Sequence, residues 1–101
     1  MQLGLIGYPL GHSLSPHIHQ AALTACRLEG EYSLFPVPPG DNNRLQALLQ
    51  QVRSGEILGL NVTIPHKENV IPHLDQLTPT AQAIGAVNTI VSKNGALTGD
   101  N

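Results

Sequence analysis

Six residues of this 101-residue chain have side chains suited to gripping a small polar molecule, and one of them can also move a proton. Ser13 and Ser15 lie in the loop Gly11-His12-Ser13-Leu14-Ser15-Pro16. Asn61, Thr63 and Lys67 fall in Gly59-Leu60-Asn61-Val62-Thr63-Ile64-Pro65-His66-Lys67, and Asn88 follows Gly85-Ala86-Val87. Hydroxyl and carboxamide groups both donate and accept, so they match the hydroxyls of a polyhydroxylated ligand, and an ammonium matches an anionic group. A lysine partly desolvated in a cleft gives up its proton more readily, and can then exchange it with an alcohol or ketone. A carboxylate would help to hold and tune Lys67. Glu68 faces elsewhere on a helical turn, which leaves Asp100 as the only other candidate nearby. The residues by themselves supply no clear partner.

Blander roles compete with these. A lysine after a strand ordinarily sits in water, threonine suits strands, and both serines can serve simply as turn and cap residues. Asn61 weighs the other way, because asparagine is depleted in strand interiors. Five histidines invite a metal, but His17 and His19 fall on opposite faces of a helix and no H-E-x-x-H spacing occurs. A serine hydrolase is suggested only by Gly11-His12-Ser13, which lacks the G-x-S-x-G elbow. The glycines Gly4, Gly7 and Gly11 do not match G-x-G-x-x-G, and no G-x-x-x-x-G-K is present, so a dinucleotide site is not expected in this chain.

The elements that must position the six residues follow from periodicity. Leu3 to Ile6 reads as a buried strand closed by Gly7-Tyr8-Pro9. Ser15-Pro16 opens a helix with stripe Ile18, Ala21, Ala22, Ala25 and Cys26. Glu31 to Val37 is a second strand, and Asn42 to Arg53 a helix with stripe Leu45, Leu48, Leu49 and Val52, capped by Asp41 and ended at Gly55. Leu58 to Thr63 is a third strand, stopped by Ile64-Pro65, because proline has no donor for a ladder and excludes the α region for the residue before it. A short helical turn from Lys67 to Ile71 then ends at Pro72. Thr78-Pro79 opens a helix through Ile84 to Gly85. Ala86 to Lys93 is a strand, and Asn94-Gly95 predicts a two-residue hairpin pairing Lys93 with Ala96, Val91 with Thr98, Thr89 with Asp100 and Asn88 with Asn101. Alternating strands and helices predict an α/β fold, a three-layer α/β/α sandwich with a mostly parallel sheet and one antiparallel hairpin. Strand-to-helix loops of such a sheet open on one edge, where ligands bind.

Composition sets the outer bounds. One domain is expected. Charged residues make up 12%, against an ordinary ~25%; such scarcity suggests that another domain or subunit, a homodimer for example, covers part of the surface. A net charge of −2 without a Lys/Arg cluster argues against nucleic acid. A single cysteine, Cys26, excludes an internal disulfide and fits a reducing cytoplasm. The start Met1-Gln2-Leu3-Gly4 reads as a strand and not as a signal peptide, no apolar run is of membrane length, and Gly99-Asp100-Asn101 reads as a cut end.

Taken together, Gly7-Tyr8-Pro9-x-x-His12-Ser13-x-Ser15-Pro16-x-x-His19, Asn61-Val62-Thr63-Ile64-Pro65-His66-Lys67, Gly85-Ala86-Val87-Asn88-Thr89 and Gly99-Asp100-Asn101 resemble the substrate-binding half of shikimate dehydrogenases, over the whole of residues 1–101. The resemblance implies NADP-dependent interconversion of 3-dehydroshikimate and shikimate in aromatic amino-acid (chorismate) biosynthesis. It implies substrate contacts at Ser13, Ser15, Asn61, Thr63, Lys67 and Asn88, with Lys67 the catalytic acid/base. In the family, the partner of that lysine is an aspartate in the continuation Gly-Asp-Asn-Thr-Asp-Gly, beyond Asn101, so Asp100 is not that aspartate. The NADP-binding C-terminal domain would likewise lie outside the chain, and the isolated domain is expected to be inactive. Gln20 stands where many relatives have asparagine, with no consequence expected beyond local packing. A quinate/shikimate dehydrogenase shares these motifs, and a stand-alone binding module is the alternative from another class.

Overall fold

The computed structural model describes residues 2–8 and 31–101. The expected helix after Ser15 lies outside the described residues. Six strands form one sheet in the order β2-β1-β3-β5-β6-β4: β1 (Gln2–Gly7), β2 (Glu31–Pro36), β3 (Gly59–Val62), β4 (Gln76–Leu77), β5 (Thr89–Lys93) and β6 (Ala96–Asp100). β1 is parallel to both β2 and β3, and β4 is parallel to β6. β5 runs antiparallel to β6 through Asn94-Gly95, in the register expected from the sequence. It also runs antiparallel to β3. The mostly parallel α/β sheet is thus as expected, with a second antiparallel pairing added where β5 docks on β3.

Side chains alternate across a strand, so register determines what meets what. Gly4 stands opposite Leu60, Ile6 opposite Val62, Leu60 opposite Ile90, and Ser92 opposite Leu97. Ile6, Leu60, Val62, Ile90 and Leu97 consequently share one face, and all are buried. Helix α1 (Asn42–Ser54) supplies the other half of that core through Leu45, Leu48, Leu49 and Val52. Its caps are those the sequence predicts. The Asp41 carboxylate accepts from Arg44 N–H at 3.2 Å, and Gly55 takes up the left-handed conformation at φ 90°. Gly99, on the same face, is held close against Leu74 and Val87.

Local departures from the sequence reading have local causes. Pro72 does not end the turn after Lys67. Helix α2 (His66–Asn69) is followed by a 3-10 turn, Ile71–His73, that contains Pro72; at the start of a helical turn the missing N–H is not needed. β4 has two residues and no apolar alternation to announce it. β5 begins at Thr89, not Ala86: Val87 N–H turns out of the sheet to donate to Lys67 O at 2.9 Å, and only Asn88 still bonds to the neighbouring strands, at Val62 and Asp100. The Ile64–Pro65 peptide is cis.

A Cβ at residue 99 would lie 2.6 Å from Leu74 Cδ1 and 2.8 Å from Val87 Cγ2. Gly99→Ala is therefore expected to cost about 1–3 kcal/mol by overpacking, read as a lower urea midpoint at unchanged slope; an unchanged midpoint would mean that the contact is soft.

Candidate functional site

β1 and β3 are parallel, so their carboxyl ends share an edge, and β5, running the other way, brings its first residues to that same edge. Main-chain hydrogen bonds hold the segments together there. Thr63 N–H donates to Ile6 O at 2.9 Å and Tyr8 N–H to Ile64 O at 3.0 Å, which seats the end of β3 beside the end of β1. Val62 N–H to Asn88 O, Val87 N–H to Lys67 O and Asn88 N–H to Asp100 O, at 2.8–2.9 Å, add the β5 entrance, helix α2 and the end of β6. Asn61, Thr63, Lys67 and Asn88 are thus gathered on one edge. Ser13 and Ser15 lie outside the described residues.

Strand alternation explains why polar residues are tolerated in β3. Leu60 and Val62 face the core, whereas Asn61 shares the opposite face with Leu5 and Thr89, its neighbours in register. Asn61 is exposed, and Thr63, Lys67 and Asn88 are half-buried. The start of α2 is anchored by His66, whose buried ring meets Val37 O through Nε2. A carbonyl only accepts, so Nε2 carries the proton and Nδ1 is left without a partner. His66 is therefore a structural pin, and Lys67 follows it at the rim. A pocket of about 200 Å³, lined by Ile64, Pro65, Lys67, Glu68 and Asn69, borders the lysine. Ile64 is 73% exposed beside it.

A second polar cluster lies at the β5–β6 end of the edge. Asn88 Nδ2 donates to Asn101 Oδ1 at 3.3 Å, Asn101 Nδ2 donates to Ala86 O at 3.1 Å, and the Thr89 hydroxyl donates to Asn88 Oδ1 at 3.0 Å. Asn101 and Thr89 were not singled out from the sequence. The Asn94-Gly95 register, which sets Asn88 against Asn101, was the available signal. Asp100, the nearby carboxylate considered for Lys67, is engaged elsewhere. Its Oδ1 accepts from the Thr78 hydroxyl at 2.6 Å, and that oxygen of Thr78 also caps helix α3 (Pro79–Ile84) by accepting from Ala81 N–H at 3.2 Å. The Thr78 hydrogen bond, helped by Asn101 N–H, holds the Asp100 carboxyl below its ordinary 3.8. The only salt bridge among the described residues joins Arg53 to Asp75 at 2.8 Å and does not involve Lys67.

The starts of α1 and α3 offer no open place for a nucleotide phosphate. A phosphate seeks free N–H groups at a helix start, but that of α1 already holds the Asp41 carboxylate and that of α3 has Thr78 with Asp100 behind it. No three His, Cys, Asp or Glu side chains among the described residues could share a metal ion, and no described helix is long and apolar enough to cross a membrane.

Comparison with known proteins shows the family to which the chain belongs. Residues 5–90 match the family model described as the shikimate dehydrogenase substrate binding domain. The chain belongs to that family. It is 46% identical over 99 residues to the NADP(+) shikimate dehydrogenase of Symbiobacterium thermophilum, covering 98% of this chain and 33% of the relative. It is 49% identical over 98 residues to that of Dehalococcoides mccartyi, covering 97% and 33%. Among solved structures it resembles shikimate 5-dehydrogenase from Thermus thermophilus in complex with NADP(H) and shikimate, with a TM-score of 0.81, 40% identity, and coverage of 100% of this chain and 37% of that one. The chain spans about a third of the length of the curated relatives it matches.

Because the Asp100 carboxyl titrates below its unfolded value, it adds stability above pH ~4 that is lost as the pH falls through its folded pKa. Thr78→Val removes both the cap and the donor. The variant is expected to lose about 1 kcal/mol at neutral pH and to raise the Asp100 midpoint in a carboxyl-carbon NMR titration. A midpoint equal to that of the wild type would show that the hydroxyl does not set this titration.

Proposed function

We propose that this chain is the substrate-binding half of a shikimate dehydrogenase, interconverting 3-dehydroshikimate and shikimate with NADP(H). In biosynthesis the direction is reduction, on the way to chorismate and the aromatic amino acids. The observation that supports this most is the gathering of Asn61, Thr63, Lys67 and Asn88 on one sheet edge by main-chain bonds that involve β1, β3, the entrance of β5, the end of β6 and α2. Shikimate is a carboxylate carrying several hydroxyls on a ring, and groups that donate and accept, with one cation among them, are what such a molecule needs.

In this reading Ser13, Ser15, Asn61, Thr63, Lys67 and Asn88 hold the ring. The Lys67 ammonium gives its proton to the oxygen that becomes the alcohol as the ketone is reduced, and takes it back in the reverse direction. The hydride for the reduction would come from NADPH, and NADP+ would take it back in the reverse direction; a C-terminal domain outside this chain would hold the cofactor. The relatives, roughly three times longer, support that division of labour. Shikimate and that domain are then the partners, in the cytoplasm, and a homodimer would use part of the sparsely charged surface. A quinate/shikimate dehydrogenase is the nearest alternative; kcat/KM for the two acids in the complete protein separates them.

Two outcomes are expected. Residues 1–101 mixed with NADP+ and shikimate should give no NADPH absorbance; a steady rise would overturn the division between the two halves. In the complete protein, Lys67→Ala should lower kcat by about 10²–10⁴-fold with a much smaller change in KM, as for a group acting in the transition state. A change confined to KM would reduce Lys67 to a binding residue.

A further inference from the structure

We infer that Asn101 is a positioning residue that fixes which way the Asn88 carboxamide faces at the substrate edge. The inference rests on the reading of Asn88 as a substrate contact and goes one residue further.

A carboxamide has an accepting end and a donating end of nearly the same shape, so a ligand meets the right one only if something else fixes the choice. The choice here starts from a main-chain carbonyl. Ala86 O can only accept, so the Asn101 group 3.1 Å from it must be the NH₂. Asn101 then turns Oδ1 towards Asn88, and Asn88 must answer with its own NH₂, at 3.3 Å. Its Oδ1 is left to accept from the Thr89 hydroxyl at 3.0 Å. One N–H and one lone pair of Asn88 remain for a ligand, each in a settled direction. The backbone that presents Asn101 is settled as well: Asp100 O accepts from Asn88 N–H at 2.9 Å, and the Asp100 carboxylate is tied to Thr78 at 2.6 Å. Without the Asn101 amide, the Asn88 side chain can turn over, and its two ends exchange places.

Steady-state kinetics of the complete protein test this. Asn101→Ala is expected to raise the shikimate KM roughly tenfold, about the worth of one hydrogen bond to a polar ligand, and to leave the NADP KM unchanged. In an Asn88→Ala background the same substitution should add nothing, because its effect passes through Asn88. Asn101→Leu, which keeps the size but loses both the donor to Ala86 O and the acceptor for Asn88 Nδ2, should raise the shikimate KM as well. It decides the matter if melting curves show that the alanine variant is unfolded. Equal factors for Asn101→Ala with and without Asn88 would overturn the inference, since a merely structural role adds in both backgrounds. So would a weakened Asn88→Ala paired with unaffected Asn101 variants, which leaves the functional reading intact. An Asn88→Ala variant with unchanged shikimate KM would sink both.

Discussion

The site depends on the reversal of β5 against β3. Had β5 joined the sheet parallel to β3, its first residues would sit at the far edge, roughly 15 Å away at ~3.3 Å per residue. Antiparallel docking puts Asn88 beside Val62, and one 2.8 Å main-chain bond from Val62 N–H to Asn88 O secures it. From that bond the rest follows in chain order. Val87 reaches the Lys67 carbonyl, Asn88 reaches Asp100, and helix α2 is drawn onto the same rim as the ends of β1 and β3.

The side-chain chemistry of the rim has two different settings. At the β3 end a lysine stands beside a small pocket and an exposed isoleucine, with no carboxylate of the described residues paired to it. At the β5–β6 end the Thr78 hydroxyl pairs with the Asp100 carboxylate, and beside that pair the side chains of Asn101, Asn88 and Thr89 satisfy one another. Groups fastened in that way lose little further freedom when a ligand arrives, which favours binding. The core behind them is ordinary aliphatic packing between α1 and one sheet face.

Much of this was legible in the residues. The stripe Leu45-Leu48-Leu49-Val52 with Asp41 and Gly55 marked α1 to within a residue, and Asn94-Gly95 set the hairpin register through to Asp100. Polar residues interrupting β3 pointed to the edge where the ends of β1 and β3 meet the start of β5. What could not be read was strand direction across β3 and β5, because the pairing is made between segments far apart in sequence and leaves no local mark. β4 was invisible for want of length, and Pro72 misled because its effect depends on where in a turn it falls. The Thr78–Asp100 pairing was hidden too: each residue had a sufficient local explanation, one as a cap and the other as a strand end.

Because Val62, Thr63, Val87 and Asn88 are stitched together through peptide groups, the main-chain path of the rim does not rest on the side chains of Asn61, Thr63 and Asn88. Replacing a rim side chain therefore alters what the edge presents without redrawing the main-chain bonds behind it.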